Sequence, residues 1–521
     1  MYLLLPGRHH LLTNDQMRHL TLLLGQAPSV FSAPFSALVW AITSANHQNT
    51  RRNPLPGHRR EAAIEAFAQE FEIPSLVFPI DDVGENHRFA DYILKKIEVD
   101  GRLRLSASNT VVASSTPEVS EQFVGLGFRV MEAEGEPNEA PWRVLDQLVA
   151  LGLQGHDWAA HPTFLRLVHR ASRRLLLRYG YDRHLVDLHR HPVGTQDGDL
   201  TATRDYNVYV RAFDEGAERK AALVREHVRP GRIVDIGCCT GAVLQHLSRE
   251  SRLRESDFYG IELARPLYEE CLHRKRQGGF ATDHVFFYQG NAAERSLFAP
   301  DSVDTFLTFS LTHELESYQG RAYLERFLRL IFEQLTLGGR WINVDVVGPE
   351  DGDELVGLWL NETDGVNAVA EPAEKDERAT LRAQLARLST RGRFERFVRD
   401  FRPEHAHGRP YHEETFAGQR IVVLPRREAA EFLSKKDYLD NWQSEMHETF
   451  CFWSLSEWRA AVEAVGFRVL PMSHTFANPW IVRNRYEGKA RLLRRAVKGW
   501  EVEDWPVTTM VLGVEKPRSV V

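Results

Sequence analysis

A chain of 521 residues with 43% hydrophobic and 10% aromatic residues can build several cores, which excludes a largely disordered protein and points to roughly two to four domains. Its net charge of −7 gives no global pull toward nucleic acid, and no apolar run is long enough to span a membrane. The four cysteines, Cys238, Cys239, Cys271 and Cys451, show neither a disulfide framework nor a zinc spacing, so a reducing cytoplasm and no metal are expected. The N-terminus lacks a basic region and a long apolar stretch, so no signal peptide is expected.

Taken in chain order, residues 1–150 alternate two periodicities. "MYLLLP", "ALVWAITSA", "PSLVFPI", "LRLSAS" and "FRVMEA" read as strands. "DQMRHLTLLLG", "GHRREAAIEAFAQEF", "NHRFADYILKKIE" and "TPEVSEQFVGLG" read as helices. Such alternation predicts a parallel sheet with helices on both faces. "FLRLVHRASRRLLLRYG" and "HRHPVGTQDGD" then read as a basic helical tail and a linker over 166–203. The arginines of that helix could touch nucleic acid, but a solvated or interdomain helix is the plainer reading.

A second α/β series begins near residue 204: "GRIVDIGCCTGAVLQHL", "DFYGIELARPLYEECLHRK", "HVFFYQGNAAE", "SVDTFLTFSLTHEL" and "GGRWINVDVVG". A charged, irregular insert covers 349–450, and "SLSEWRAAVEAVGFRVLPMSHT" resumes the pattern over 451–521. The closing "TTMVLGVEKP" alternates like an antiparallel strand. The chain is therefore an α/β protein of two doubly wound domains, the second carrying a closing antiparallel hairpin and a large insert.

The strongest chemical signal is "IVDIGCCTG", an apolar strand, a small-residue turn and a helix start. Such a turn brings backbone N–H groups and a helix N-terminus close to a ligand. Glu262 ends the next strand, where a carboxylate can accept hydrogen bonds from a ribose diol. Asn291 ends a third strand and "FLTFSLTHEL" a fourth.

This order and spacing resemble the class I S-adenosylmethionine-dependent methyltransferases over about 204–348 and 451–517. The family's D/E-x-G-x-G-x-G turn reads here Asp235-Ile236-Gly237-Cys238-Cys239-Thr240-Gly241, with Cys239 in place of the middle glycine. The resemblance implies S-adenosylmethionine as cofactor. It implies that Asp235 and Gly237 line the methionine portion, that Glu262 with Leu263 meets ribose, and that Asn291 with Ala292 faces adenine. Cys238, Cys239, Gly241, Phe309 and Ser310 complete the expected cofactor site. The family more often has Asp at position 291. A dinucleotide-binding unit, the competing reading of a glycine turn, would not predict the closing hairpin.

Methyl transfer asks the protein to position a nucleophile in line with the methyl group, and a base can take the nucleophile's proton. His313 and Glu314 follow the fourth strand, where members of this family face their acceptor, and are base candidates; Asp345, ending the fifth strand, is another. The bland alternative is that His313 and Asp345 only pack or cap at strand ends. Tyr318, Phe452, Trp453, Asn478, Trp480 and Arg483 are candidate acceptor-binding residues, set against a reading in which the aromatics bury the insert and the arginine lies in a solvated loop.

Residues 1–165 resemble the HxGH nucleotidyltransferases, especially the nicotinamide-mononucleotide adenylyltransferases. "LLPGRHHLLTNDQMRHL" keeps Gly7 and Arg8, but Thr13 and Gln16 fall on the two histidine positions and Asp15 on the glycine. Asn53, Pro54 and Arg60 match a later segment, while the late arginine signature is replaced by "GEPNEAPWRVLDQL". These losses imply a noncatalytic domain that binds a nucleotide-like ligand, docks a partner or dimerises. The expected function is methyl transfer to N or O of a small molecule, nucleotide-like or a biosynthetic intermediate. The alternatives are a bifunctional nucleotidyltransferase/methyltransferase, a noncatalytic cofactor sensor and, disfavoured by the charge balance, an RNA methyltransferase. Beyond the acceptor, the partners expected are a nucleotide at the first domain and a second copy of the chain; membrane and nucleic acid are not expected.

Overall fold

The computed structural model describes residues 1–31, 33–83, 88–190, 206–367, 378–402, 411–497 and 499–518. The chain divides into two compact units, one of residues 1–192, 230–232 and 250–257, the other of 193–229, 233–249 and 258–521. The linker expected at "HRHPVGTQDGD" lies almost wholly outside the described residues.

The first unit is built on β1 (Tyr2–Gly7), β2 (Ala37–Ile42), β3 (Ser75–Pro79), β4 (Thr110–Ala113) and β5 (Arg129–Met131). The strands are parallel in the order β3-β2-β1-β4-β5. That is the doubly wound order, with the chain reversing direction beside β1. Alternate residues serve opposite faces. Leu3, Leu5, Trp40 and Ile42 pack with one set of helices, and Leu4, Val39, Ala41 and Val112 with another. One predicted strand is displaced. "LRLSAS" is irregular, and the fourth strand begins after it at Thr110. The basic segment forms three short helices, Pro162–Leu167, Arg170–Arg178 and Tyr181–His189. They belong to this unit's core through Phe164, Leu176 and Leu185, with their arginines left at the rim.

The second unit holds β6 (Arg232–Ile236), β7 (Asp257–Glu262), β8 (Val285–Gln289), β9 (Val303–Phe309), β10 (Leu335–Asp345), β11 (Leu355–Leu360), β12 (His412–Phe416), β13 (Gln419–Pro425), β14 (Arg468–Val469), β15 (His474–Phe476), β16 (Ala490–Ala496), β17 (Gly499–Val502) and β18 (Thr509–Glu515). Its main sheet runs β14-β18-β10-β9-β6-β7-β8, with β15 also paired to β18. The closing strand β18 is antiparallel to β10, Val344 facing Val511 and Ile342 facing Gly513. Val234, Phe306, Trp341 and Leu512 bury one face under helices Arg321–Gln334 and Leu455–Val465.

The insert is not irregular. β11, β12 and β13 join β16 and β17 in an antiparallel sheet ordered β12-β13-β11-β16-β17. Val356, Leu358, Val422 and Leu492 pack with Phe394, Phe397 and Phe432 on one face, and Ile421, Val423, Leu493 and Trp500 cluster on the other.

At the start of the first long helix, Asn14–Phe31, the Gln16 N–H donates to Thr13 Oγ1 at 3.1 Å. The Thr13 N–H donates in return to Gln16 Oε1 at 3.2 Å. This reciprocal pair is a capping box. Asp15 accepts from the backbone N–H groups of Gly135 and Glu136. Thr13, Asp15 and Gln16 thus carry the helix entry. Replacing Thr13 by Ala should lower stability by about 1 kcal/mol, read as a reduced denaturant midpoint for the transition that reports on this unit.

Candidate functional site

In the second unit, β6 delivers Asp235 and then the turn Gly237–Gly241. Gly237 (φ 70°) and Gly241 (φ 73°) take left-handed backbone, and so does Cys239 (φ 53°), the residue that replaces the family's middle glycine. A side chain there is strained, and the turn holds it with a specific bond: the Cys239 N–H donates to Glu262 Oε2 at 2.9 Å. Glu262 Oε1 accepts from Ala264 N–H, also at 2.9 Å. The carboxylate on β7 is therefore fixed across the turn, and burial raises its pKa to about 7. Leu263 is half-buried beside it, its carbonyl accepting from Gln289 Nε2. The Cys238 and Cys271 thiols are buried and unbridged.

Asp235 is fully buried, and neither carboxylate oxygen has a hydrogen-bond partner among the described residues. Burial pushes its pKa well up, opposed by the charge of Lys220. Lys220, on helix Tyr206–Val224, sits with Nζ 3.8 Å from the Phe213 ring centre and 6.0 Å from that of Phe309. Its own pKa falls to about 8 by burial, held up by Cys239, Asp345, Asp235 and Glu314. Sequence reasoning missed Lys220, because its helix precedes every motif. Asn291 Oδ1 accepts from Ala293 N–H and its Nδ2 donates to Tyr323, so its amide braces its own turn, leaving Ala292 nearly buried beside it.

Beyond β9, Phe309 is buried, and Ser310 takes φ 54° while donating its N–H to Val344 O. Helix Thr312–Gln319 follows, with His313 and Glu314 buried in its first turn. Asp345, at the end of β10, receives the Thr312 N–H (2.7 Å), Thr312 Oγ1–H (2.6 Å) and His313 N–H (3.1 Å) on Oδ2. Its Oδ1 receives His313 Nδ1–H at 2.6 Å and Val346 N–H at 2.8 Å. His313 Nε2 lies 3.4 Å from Glu448 Oε2. Flanked by two carboxylates, the imidazole has its pKa raised well above the usual range, although burial alone would lower it. Five donors occupy the two oxygens of Asp345, which fixes the His313 ring, and the flanking carboxylates favour the protonated imidazole. Glu448 carries no local motif, and only folding brings it to His313.

Tyr318 donates to Glu448 Oε1 at 3.0 Å and so supports this group. Phe452 and Trp453 are buried and pack with Trp458 in the core of this unit. Asn478 caps a short turn by accepting from Trp480 N–H, Trp480 is half exposed and Arg483 is exposed.

The first unit encloses a cavity of about 960 Å³, lined among others by Arg8, His9, His10, Arg51, Arg52 and Trp142. His9 Nε2–H donates to Leu5 O at 3.1 Å, and burial takes its pKa down to about 4. His10 is held well below the usual range by burial and by Arg60 and Arg8. Arg60 is buried and ties the carbonyls of Arg8, Thr43 and Ser44 together.

Residues 233–334 match the family model described as a methyltransferase domain. No curated protein matches the sequence. Among solved structures, the chain is similar to an S-adenosylmethionine-dependent methyltransferase from Mesorhizobium loti, at 14% identity over 58% of this chain and 99% of that one, with a TM-score of 0.32. It is also similar to a SAM-dependent methyltransferase from Aquifex aeolicus, at 10% identity over 60% and 99% with a TM-score of 0.30. A third is the YcgJ protein from Bacillus subtilis, at 14% identity over 58% and 100% with a TM-score of 0.30.

The raised pKa of His313 sets a pH dependence. The stabilisation is complete below the unfolded imidazole's pKa of about 6.5 and is lost as pH rises through the higher folded value. Denaturation of the wild type and a His313→Gln variant should therefore show a stability difference that is largest near pH 6 and shrinks on the alkaline side.

Proposed function

From a methyltransferase domain whose cofactor is S-adenosylmethionine, we propose that the protein transfers a methyl group to a nitrogen or oxygen of a small-molecule acceptor. The observation that carries this reading is Asp235, a buried carboxylate beside a glycine turn with no hydrogen-bond partner among the described residues. Such a group is costly unless a ligand satisfies it, and the ammonium of a methionine moiety would do so. Glu262, already fixed by two backbone donors, has lone pairs left for a ribose diol. Ala292 then lies toward adenine, with Asn291 bracing the turn.

The bound cofactor supplies an activated methyl group. The acceptor enters at the ends of β9 and β10, where His313 donates a hydrogen bond to it. Because Asp345 is committed, Glu314 and Glu448 remain to take the acceptor's proton. Four free buried thiols suit a reducing, cytoplasmic setting.

The first unit supports a second, compatible reading: its arginine-lined cavity holds a nucleotide or other phosphorylated ligand without turning it over. Its buried histidines are held neutral, a poor arrangement for stabilising a transferring phosphoryl group.

Calorimetry should show S-adenosylmethionine and S-adenosylhomocysteine binding to the wild type, weakened at least tenfold by Glu262→Ala and by Asp235→Asn; absence of binding to the wild type sinks the leading reading. Incubation with ATP or CTP and a nucleotide acceptor should release no pyrophosphate. Steady release would establish the bifunctional alternative.

A further inference from the structure

We propose that His313, Glu314 and Glu448 form a binding site for a first-row divalent cation, Mn²⁺-like in its preference for mixed oxygen and imidazole ligands, at the acceptor end of the second unit. All three residues are buried, and one ligand atom from each lies within 4.8 Å of the others. With metal bonds of about 2.1 Å, modest rotation of the two glutamates brings these atoms onto one coordination sphere.

On binding the cation, His313 Nε2 releases its proton to solvent and ligates, so in the loaded protein His313, Glu314 and Glu448 act as ligands in place of the donor and bases of the cation-free site. Asp345 accepts from Nδ1 at 2.6 Å, which fixes the ring orientation and leaves Nε2 turned toward Glu448. A carboxylate behind the ligating histidine is the usual outer support of such a ligand. Asp345 is itself locked by Thr312, and Thr312 by Asn343 Nδ2 at 3.0 Å. Asn343 in turn accepts from Thr308 Oγ1, and Thr308 from Trp341 Nε1, each at 2.9 Å. Glu448 has its own support in the Tyr318 hydroxyl. A buried carboxylate-rich group of this kind is stabilised by a cation, and two carboxylates with one imidazole suit Mn²⁺, Fe²⁺ or Zn²⁺ better than a soft metal.

The location gives the cation a use. Leu311, two residues before His313, packs against Gly237 of the cofactor turn, where an added Cβ would meet Leu311 Cδ1 at 3.3 Å. The charge of Glu314 is felt at both Glu262 and Lys220. The cation would therefore lie beside the cofactor turn. Three protein ligands leave coordination positions open, and these select an acceptor that presents a hydroxyl or a pair of neighbouring oxygens. This assignment of an oxygen acceptor rests on the methyl-transfer reading; the cation site itself does not.

The test uses the full chain stripped with a chelator and dialysed against Mn²⁺, with Zn²⁺ and Mg²⁺ in parallel, and bound metal counted by mass spectrometry. About one Mn²⁺ or Zn²⁺ per chain is expected, with Mg²⁺ weaker. Glu448→Gln and Glu314→Gln should each lower the affinity at least tenfold, and Asp345→Asn, behind the histidine, by about 10–100-fold. S-adenosylhomocysteine binding by each variant checks that it has folded. A wild type that binds S-adenosylhomocysteine but none of the three metals overturns the cation site and leaves the methyl-transfer reading standing. Metal binding without cofactor binding supports the cation site and removes the oxygen acceptor from it. Full metal affinity in folded Glu448→Gln and Glu314→Gln variants overturns the assignment of ligands.

Discussion

The candidate acceptor site depends on the buried carboxylate of Asp345. Asp345 is 3% exposed, and an ionised carboxylate without partners would be very costly there. Here five donors converge on it: two backbone N–H groups that open helix Thr312–Gln319, the Thr312 hydroxyl, the His313 ring and the N–H of Val346. Charge-assisted bonds contribute about 1.5–3 kcal/mol each, and the helix N-terminus adds its partial positive charge. The same contacts that keep Asp345 ionised also join the end of β10 to the end of β9 and orient His313. Site geometry and local stability are therefore one set of bonds.

The cofactor turn shows the opposite balance. Asp235 has no hydrogen-bond partner among the described residues, and Cys239 is held at positive φ, which strains the turn. Around it the packing is tight: a Cβ on Gly260 would fall 2.5 Å from the Phe287 ring and 2.8 Å from the Cys238 sulfur. The strain at Cys239 is confined by the Glu262 bond on one side and the Cys271 thiol, which donates to Cys239 O, on the other. Any ligand that satisfies Asp235 would recover part of that cost, so binding there would raise stability.

What was legible in the sequence follows from how local the physics is. The glycine turn, Glu262 and the order of strands around β6–β10 are written in contiguous segments, so period and punctuation expose them. β4 was misplaced because "LRLSAS" alternates like a strand, yet Asn109 and Ser106 close a turn there and pairing with β1 starts at Thr110. The second antiparallel sheet was not legible, since β11 pairs with both β13 and the distant β16, and nothing in either segment names its partner. Glu448 was invisible for the same reason. Aromatics carry a different ambiguity: composition cannot separate a pocket wall from a core, and only folding shows Phe452 and Trp453 packed with Trp458.

The first unit shows how a parallel five-stranded sheet positions a cavity at its strand ends while the helix entry beside it is satisfied from within. The sheet order needs only alternating apolar strands and helices on both faces, and both are present. At the end of β1, however, Thr13 and Gln16 satisfy the helix entry between themselves, and Asp15 holds the 135–136 turn. None of the three is left to meet a phosphate. His9 and His10 are nearby, but Arg60 and burial keep them uncharged. The cavity's arginines carry fixed positive charge, and Glu255 pairs with two of them, Arg8 at 3.0 Å and Arg52 at 3.5 Å.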